Sequence, residues 1–583
     1  MPTLPAFSTA KELTYGQNPV LDALLLHFMT ENNLEHSIDP AKNASPEQIR
    51  FMVALEENSF YAPCGDWMLH FLLKSRLSPD LAHEYGDQWK LLMRLVRDHV
   101  PEKDLRIRIL HLCRHKFRMA INAPILIPSR MLKRMLTIFL TQSGLDDPYQ
   151  AIKLQMNQRA MRFVNSRYFN QLVNLCPEDR LQCASIVQLR FELDLLEMER
   201  LLYLSTMKRY WTEDIADQSM DTEGLREILG AVDFSPLRGI FAPERGPLRI
   251  LYLPRASGGI IFDLKIIQAL LRQGHRVVVA LKNGFYFDSP TVWDLESDPV
   301  LAQEFKEAHF IRDYRISKNG LLQAMREHQL VVISDGTRER FNPYRVSVTF
   351  ARAWKECDLV LAKGEAFYRR FINTSHNFTR DLLVFFRDAH GKFRMYYKPK
   401  PEHVHKFSEE ALQDKAEEII SQMRRARNAG KTVMFYSAIV GSIPGQVKVA
   451  IEVLNTFVAH LRSRMEDTFI INPGEHFEEG MDADDLMYMW ERVQRSGFLN
   501  VWRFQTDTDI EKSFELMGRK VPPVWAGKDS TYSTGCTKEM NIALDVQRRQ
   551  PELQIIGPAP EKFLRRREYG VGKFFDVSVN QYG

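Results

Sequence analysis

The sequence predicts an α/β protein with a helical N-terminal domain and two α/β domains, the second Rossmann-like. Three observations carry this expectation. Residues 1–235 show almost no strand pattern, residues 248–282 read as strand, turn, helix and strand, and strands and helices alternate again from residue 433. The expected limits are 1–235 for the helical domain, 245–405 for the first α/β domain, 406–429 for a charged helical connector and 430–583 for the second α/β domain.

Residues 248–282 organise the rest. Residues 249–253 form an apolar run that suits a buried strand. Ser257-Gly258-Gly259 supplies a turn, and from Ile260 the apolar residues Ile261, Leu264, Ile267, Leu270 and Leu271 recur at helical spacing. Gly274 ends that helix, and residues 277–281 make a second buried strand. Two parallel strands joined by a helix make a right-handed unit, and ligands bind such sheets at the carboxyl ends of the strands. The turn at residues 254–259 is therefore a candidate site.

Composition narrows the class. The 583 residues suffice for three or four domains of about 100–200 residues each. The formal charge of +4 points away from a nucleic-acid binder. Six cysteines, at 64, 113, 176, 183, 357 and 536, form no CxxC pair, so neither a zinc site nor a disulfide framework is indicated. No apolar run approaches the roughly 20 residues of a membrane span, and the N-terminus lacks a signal core. The expectation is a soluble cytoplasmic protein with no membrane and no nucleic-acid partner.

In the N-terminal region, helical spacing or length marks 20–28, 46–57, 67–77, 89–98, 105–120, 128–142, 148–164 and 180–207. Ser45-Pro46 and Asp147-Pro148 place proline in a first helical turn. His111 and His115 stand one turn apart, a metal-ligand spacing, but no third ligand is evident. A solvated, partly packed face explains them better.

The first α/β domain continues with strands at 330–334, 358–362 and 382–386, the first two ending at Asp335-Gly336-Thr337 and Lys363-Gly364-Glu365. The second domain has expected strands at 433–437, 468–472, 501–504 and 553–556, with helices at 447–461, 482–496, 509–517 and 536–547.

Several separated motifs resemble the damage-control phosphatase family, whose members are metal-dependent phosphatases and in some cases were first described as protein carboxyl methyltransferases. Asp147-Pro148-Tyr149 with Ile152-Lys153 and Asn157 resembles a family helix motif. LYLPRASGGIIFD resembles a strand-turn-helix that usually carries DNAG in its turn. Lys282 with FYFDSPTVWD resembles a loop written WFVSDTT in one subfamily, Ile333-Ser334-Asp335-Gly336 sits where a serine-glycine turn is expected, and DLVLAKGEAFYRRF is similar to DLVIFKGDLNYRKL. The resemblance covers about residues 105–400.

That resemblance implies a divalent metal, Mg²⁺ or Mn²⁺, held by hard oxygen ligands. At the matching positions this chain has Arg255, Ala256 and Ser289. Arginine is always cationic and alanine offers no ligand. Loss of the metal is one expectation, and a rebuilt site from Asp288, Asp335 and Glu365 is the other. The resemblance also places Lys363 where a lysine contacts substrate phosphate. Asp288, Asp335 and Lys363 are thus the candidate catalytic residues if the chain is an enzyme. Arg255, Gly258, Gly259 and Lys363 are candidates to hold an anion beside a helix N-terminus. The bland alternative has Arg255 paired to a nearby carboxylate and the glycines merely making the turn.

In the second α/β domain the turn at 441–446 fails the phosphate-loop spacing. The turns at 441–446, 473–476 and 528–535 are each expected to follow a strand, and in a parallel sheet they would converge on one edge. Ser442, Gln446, His476, Lys528, Ser533, Thr534 and Gly535 are the candidates for a second anion site there. N-capping at residue 534 or a neighbour is the alternative, but it needs only one of the several hydroxyls there, which favours the anion site. Cys536 at a helix start, with His476 as a base, is a further pairing to check. The functional expectation is a binding or regulatory protein, a pseudoenzyme, for a small phosphorylated or anionic metabolite. The alternative is a metal-dependent phosphatase acting on a sugar or nucleotide phosphate.

Overall fold

The computed structural model describes residues 7–16, 18–34, 46–55, 59–74, 77–175, 183–213, 222–443, 446–476, 478 and 480–565. Ser45, Cys176, residues 180–182 of an expected helix, and Pro444 and Gly445 of an expected turn lie outside them. The chain divides into two compact units, Met1–Glu402 and His403–Gly583.

The first unit is built on a seven-stranded sheet. Its strands are β1 (Arg249–Leu253), β2 (Arg276–Leu281), β3 (His309–Ile311), β4 (Leu330–Ser334), β5 (Leu359–Lys363), β6 (Asp381–Arg387) and β7 (Phe393–Lys398). The spatial order is β3-β4-β2-β1-β5-β6-β7, and every neighbouring pair is parallel except the antiparallel β6 and β7. β3 and β7 are additions to the strands expected from sequence. β3 has only three residues, and β7 is mostly half-buried, so neither gives the apolar run of a central strand.

Side chains along the central strands alternate between two cores. Ile250 and Tyr252 of β1 face one, and Leu251 and Leu253 face the other. β2 divides likewise, with Val277, Val279 and Leu281 on one side and Val278 and Ala280 on the opposite side. Helices cover both faces, which is why the strands read as continuous apolar runs. On one face, Phe28, Leu92, Ile109 and Met135 from N-terminal helices join Trp354 in a common core. On the other, Ala160, Phe169 and Leu201 pack with Phe262 and Ile266. The N-terminal helical region therefore shares its cores with the sheet rather than forming a separate domain. It also donates a strand: after the helix Pro46–Met52, Val53–Ala54 pairs antiparallel with Asn377–Phe378.

The second unit holds β8 (Thr432–Ser437), β9 (Thr468–Ile471), β10 (Val501–Phe504) and β11 (Gln554–Ile556), all parallel, in the order β9-β8-β10-β11. The expected connector is an integral helix here. Glu409–Asn428 is N-capped by Ser408 and packs Ala416, Ile419, Ile420 and Met423 onto Val433 and Phe435.

Candidate functional site

In the first sheet the chain runs from β1 outward through β2, then returns to place β5 on the other side of β1. The loops after β1 and β5 therefore face each other at a topological switch point, where ligands of such sheets bind. Arg255 reaches across this crevice. A Cβ built on Gly364, at φ 126°, would lie 3.0 Å from the Arg255 Cδ.

The turn after β1 is closed by its neighbours. Gly258 has φ 75°, and a Cβ there would meet the Trp211 ring at 2.4 Å. Its amide donates to Asn157 Oδ1, while the Ser257 amide donates to the Asp288 carbonyl at 2.7 Å. Asn157 Nδ2 also donates to Asp298, the N-cap of Pro299–Glu304. One turn earlier, Lys153 bonds Asp294 at 2.6 Å and also pairs with Asp147. The helix Gln150–Val164 is thus a bracket that fixes the β1 turn and the loop after β2 together. The Gly258 amide, which sequence reasoning offered to an anion, is already occupied, as is that of Ser257.

Lys363 is also engaged. Its Nζ lies 2.6 Å from Asp263 Oδ1 and 3.2 Å from the Gly259 carbonyl, and both ionisable side chains are buried. Burial pulls the Lys363 pKa down and pushes that of Asp263 up; each group's charge opposes the other's shift. A Cβ on Gly259 would stand 3.1 Å from this Nζ, so Gly259 makes room for the lysine. Lys363 therefore acts here as half of a buried ion pair under the turn. Sequence reasoning missed Asp263, although an aspartate inside the apolar helical run after Gly259 was the available signal.

The remaining candidates form separate pairs. Arg255 Nη1 lies 3.5 Å from Asp288 Oδ1, with both side chains partly exposed. Just before Asp288, Phe287 has φ 53°, a left-handed conformation uncommon for a bulky residue. Asp335 accepts from Lys282 Nζ at 2.6 Å and from both the amide and hydroxyl of Thr337. Glu365 pairs with Arg369 one helical turn on, at 2.8 Å. Among the described residues no group of three His, Cys, Asp or Glu could hold a metal ion. Asp288, Asp335 and Glu365 are therefore not gathered into the rebuilt metal site that sequence allowed. His111 and His115 are exposed on Lys103–Asn122.

In the second unit the parallel strands bring the ends of β8, β9 and β10 to one edge. The segment at 528–535 does not follow a strand, because 523–527 is a turn. It reaches the edge through the Ser530 amide, which donates to the Gln505 carbonyl at 2.9 Å. Ser533 is buried and N-caps Thr534–Arg549 by accepting from the Cys536 amide, whereas Thr534 is exposed. Lys528 Nζ sits 4.0 Å from the Tyr532 ring centroid. Gln446 accepts from Trp525, and His476 packs edge-on against Trp490. Ser442 is half-buried, and Gly535 is the second residue of the helix that Thr534 begins. Cys536 Sγ donates to the Ala438 carbonyl and lies against Glu539. This geometry favours capping over an anion cradle at 533–535.

The fold and edge define a parallel α/β domain with helices on both faces. The family model for the damage-control phosphatase ARMT1-like domain matches residues 82–391, more than half of the chain, and the protein belongs to that family. A crystal structure of a DUF89 family protein from Pyrococcus horikoshii is similar at 20% identity and a TM-score of 0.34, covering 54% of this chain and 93% of that one. No curated protein matches. The family is generally metal-dependent, but Arg255, Ala256 and a paired Asp288 are an ill-suited donor set for a divalent ion. Among the described residues, no helix is long and apolar enough to cross a membrane.

Proposed function

We propose that the chain binds a small phosphorylated metabolite at the carboxyl edge of the seven-stranded sheet, as a family member whose metal positions have been replaced. The observation that supports this is Arg255, a cation reaching Asp288 where the resemblance expects metal ligands. The pair is loose and partly exposed, and such pairs contribute little to stability. An incoming phosphate competes with Asp288 for the guanidinium and offers a bidentate partner in return. Lys363 acts indirectly, holding Gly259 and Asp263 beneath the turn.

The test is calorimetric titration with a panel of sugar and nucleotide phosphates, with and without Mn²⁺, together with a phosphatase assay. Binding without turnover, weakened about tenfold by Arg255→Ala, is the expected result. Manganese-dependent turnover abolished by Asp288→Ala would replace this reading with the phosphatase one.

A further inference from the structure

A cavity of about 450 Å³ in the first unit lies away from these residues: none of Arg255, Asp288, Asp335 or Lys363 lines it. Its walls come from the starts of helices Asp66–Leu72 and Pro128–Ser143 and from the π-turn Tyr368–Ile372 that follows β5. The volume is that of a small-metabolite pocket.

The charge inside is unbalanced. Arg340 and Arg370 both line the cavity, and among the described residues neither ion-pairs with a carboxylate. Arg370 donates Nη1 to the Ala366 carbonyl at 3.2 Å, and among the described residues its buried Nε has no partner. The polar groups near it are Tyr286, Cys64 and Tyr61, two phenols and a thiol. Among the described residues the one acidic side chain in the lining, Glu84, pairs with Arg369 at 3.6 Å. Ser129, in the first turn of Pro128–Ser143, is 8% exposed and makes no side-chain hydrogen bond among the described residues. Burial, and then the neighbouring Arg340, pull the Arg370 pKa down to about 10, so the cation persists at pH 7 despite its cost.

Two guanidinium groups without counter-charge, one buried hydroxyl and an apolar wall are complementary to one kind of ligand. We infer that this cavity is a second anion site, built for a small phosphate monoester with an apolar body. The dianionic head matches two planar guanidinium forks better than a carboxylate would. Tyr368, Ile127 and Pro128 supply the surface for the body. The inference does not depend on the reading of Arg255.

The experiment uses the full chain with phenyl phosphate, inorganic phosphate and benzoate as probes in calorimetry and thermal unfolding. Phenyl phosphate is expected to bind more tightly than the other two. Arg370→Met and Arg340→Ala are each expected to weaken it tenfold or more. The ligand-free Arg370→Met protein should unfold no earlier than the parent, since the change removes a buried cation lacking a counter-ion; a structural arginine would give the opposite. In an Arg255→Ala background, which disables the proposed sheet-edge site, phenyl phosphate binding should persist and should still be weakened by Arg370→Met, a result that separates this site from the sheet edge. If Arg370→Met fails to fold, the structural role stands and the inference falls for Arg370, and Arg340→Ala alone decides whether the cavity binds anions. No binding of phenyl phosphate, affinity unchanged in both cavity variants, or no residual binding in Arg255→Ala overturns the proposal.

Discussion

Replacing Lys363 by methionine tests the revised role of this residue. The change keeps length and packing but leaves Asp263, fully buried, without its cation at 2.6 Å. Removing one partner of a buried ion pair costs about 3–5 kcal/mol. The double variant Asp263→Leu with Lys363→Met removes both charges, and comparable replacements are neutral or stabilising. Urea unfolding followed by tryptophan fluorescence is a suitable assay, because the Trp211 ring lies 5.8 Å from Lys363 Nζ. The pH dependence adds a second check. Burial holds the Asp263 pKa above its unfolded value, so a lone Asp263 takes up a proton on folding. That uptake relieves the single variant at low pH, and its stability is lost as pH rises above the unfolded aspartate pKa. Lys363→Met should therefore be less impaired at pH 5 than at pH 8. A single variant as stable as the parent at pH 8, or a double variant as unstable as the single, would refute the ion-pair account and restore Lys363 as a free anion ligand.

Two further predictions concern buried titrating groups. His376 Nε2 accepts from the Ala62 amide, which requires a neutral ring, and burial pulls its pKa down to about 4. The unfolded histidine protonates first as pH falls, so stability should drop between about pH 6.5 and 4 by a few kcal/mol, on the order of 3. His376→Gln should flatten that part of the stability profile measured by urea titration. In the second unit, Glu539 is raised to about 7 by burial, so its contribution to stability is lost as pH rises from about 4.5 through 7. Glu539→Gln should raise the unfolding midpoint at pH 8 and change it little at pH 5, and equal destabilisation at both values would count against a strained carboxylate.

Much of the architecture was legible because the central strands are buried on both faces. Residues 249–253, 277–281 and 330–334 read as apolar runs, and each is a strand of the parallel sheet. The docking of the N-terminal helices onto the sheet was not legible. Their amphipathic spacing says that one face is buried, but not against what, and Leu92 or Phe28 would look the same packed on a helix bundle as on this sheet. The pairing of Val53–Ala54 with Asn377–Phe378 joins residues more than 300 positions apart and leaves no local pattern. Short edge elements such as His309–Ile311 fail for the related reason that three residues cannot show periodicity.

The place of the candidates along the sheet edge was legible, and their pairings were not. Arg255, Asp288, Asp335, Lys363 and Glu365 were chosen because the resemblance points to them or to their neighbours, and each lies at or beyond the carboxyl end of a strand. A strand end fixes which edge a residue occupies but not which charge it meets. Asp335 meets Lys282 because β2 and β4 are neighbours in the sheet, and Lys363 meets Asp263 because β5 lies beside β1 and its following helix. Each pairing follows from strand order, which the sequence states only through loop lengths. Arg340 and Arg370 escaped for the opposite reason. They lie in basic, loop-like stretches where a solvated charge is the ordinary outcome, and only the packing of two N-terminal helices over the π-turn encloses them. Cations enclosed without carboxylates are therefore the feature by which the fold, and not the sequence, marks a place for an anion.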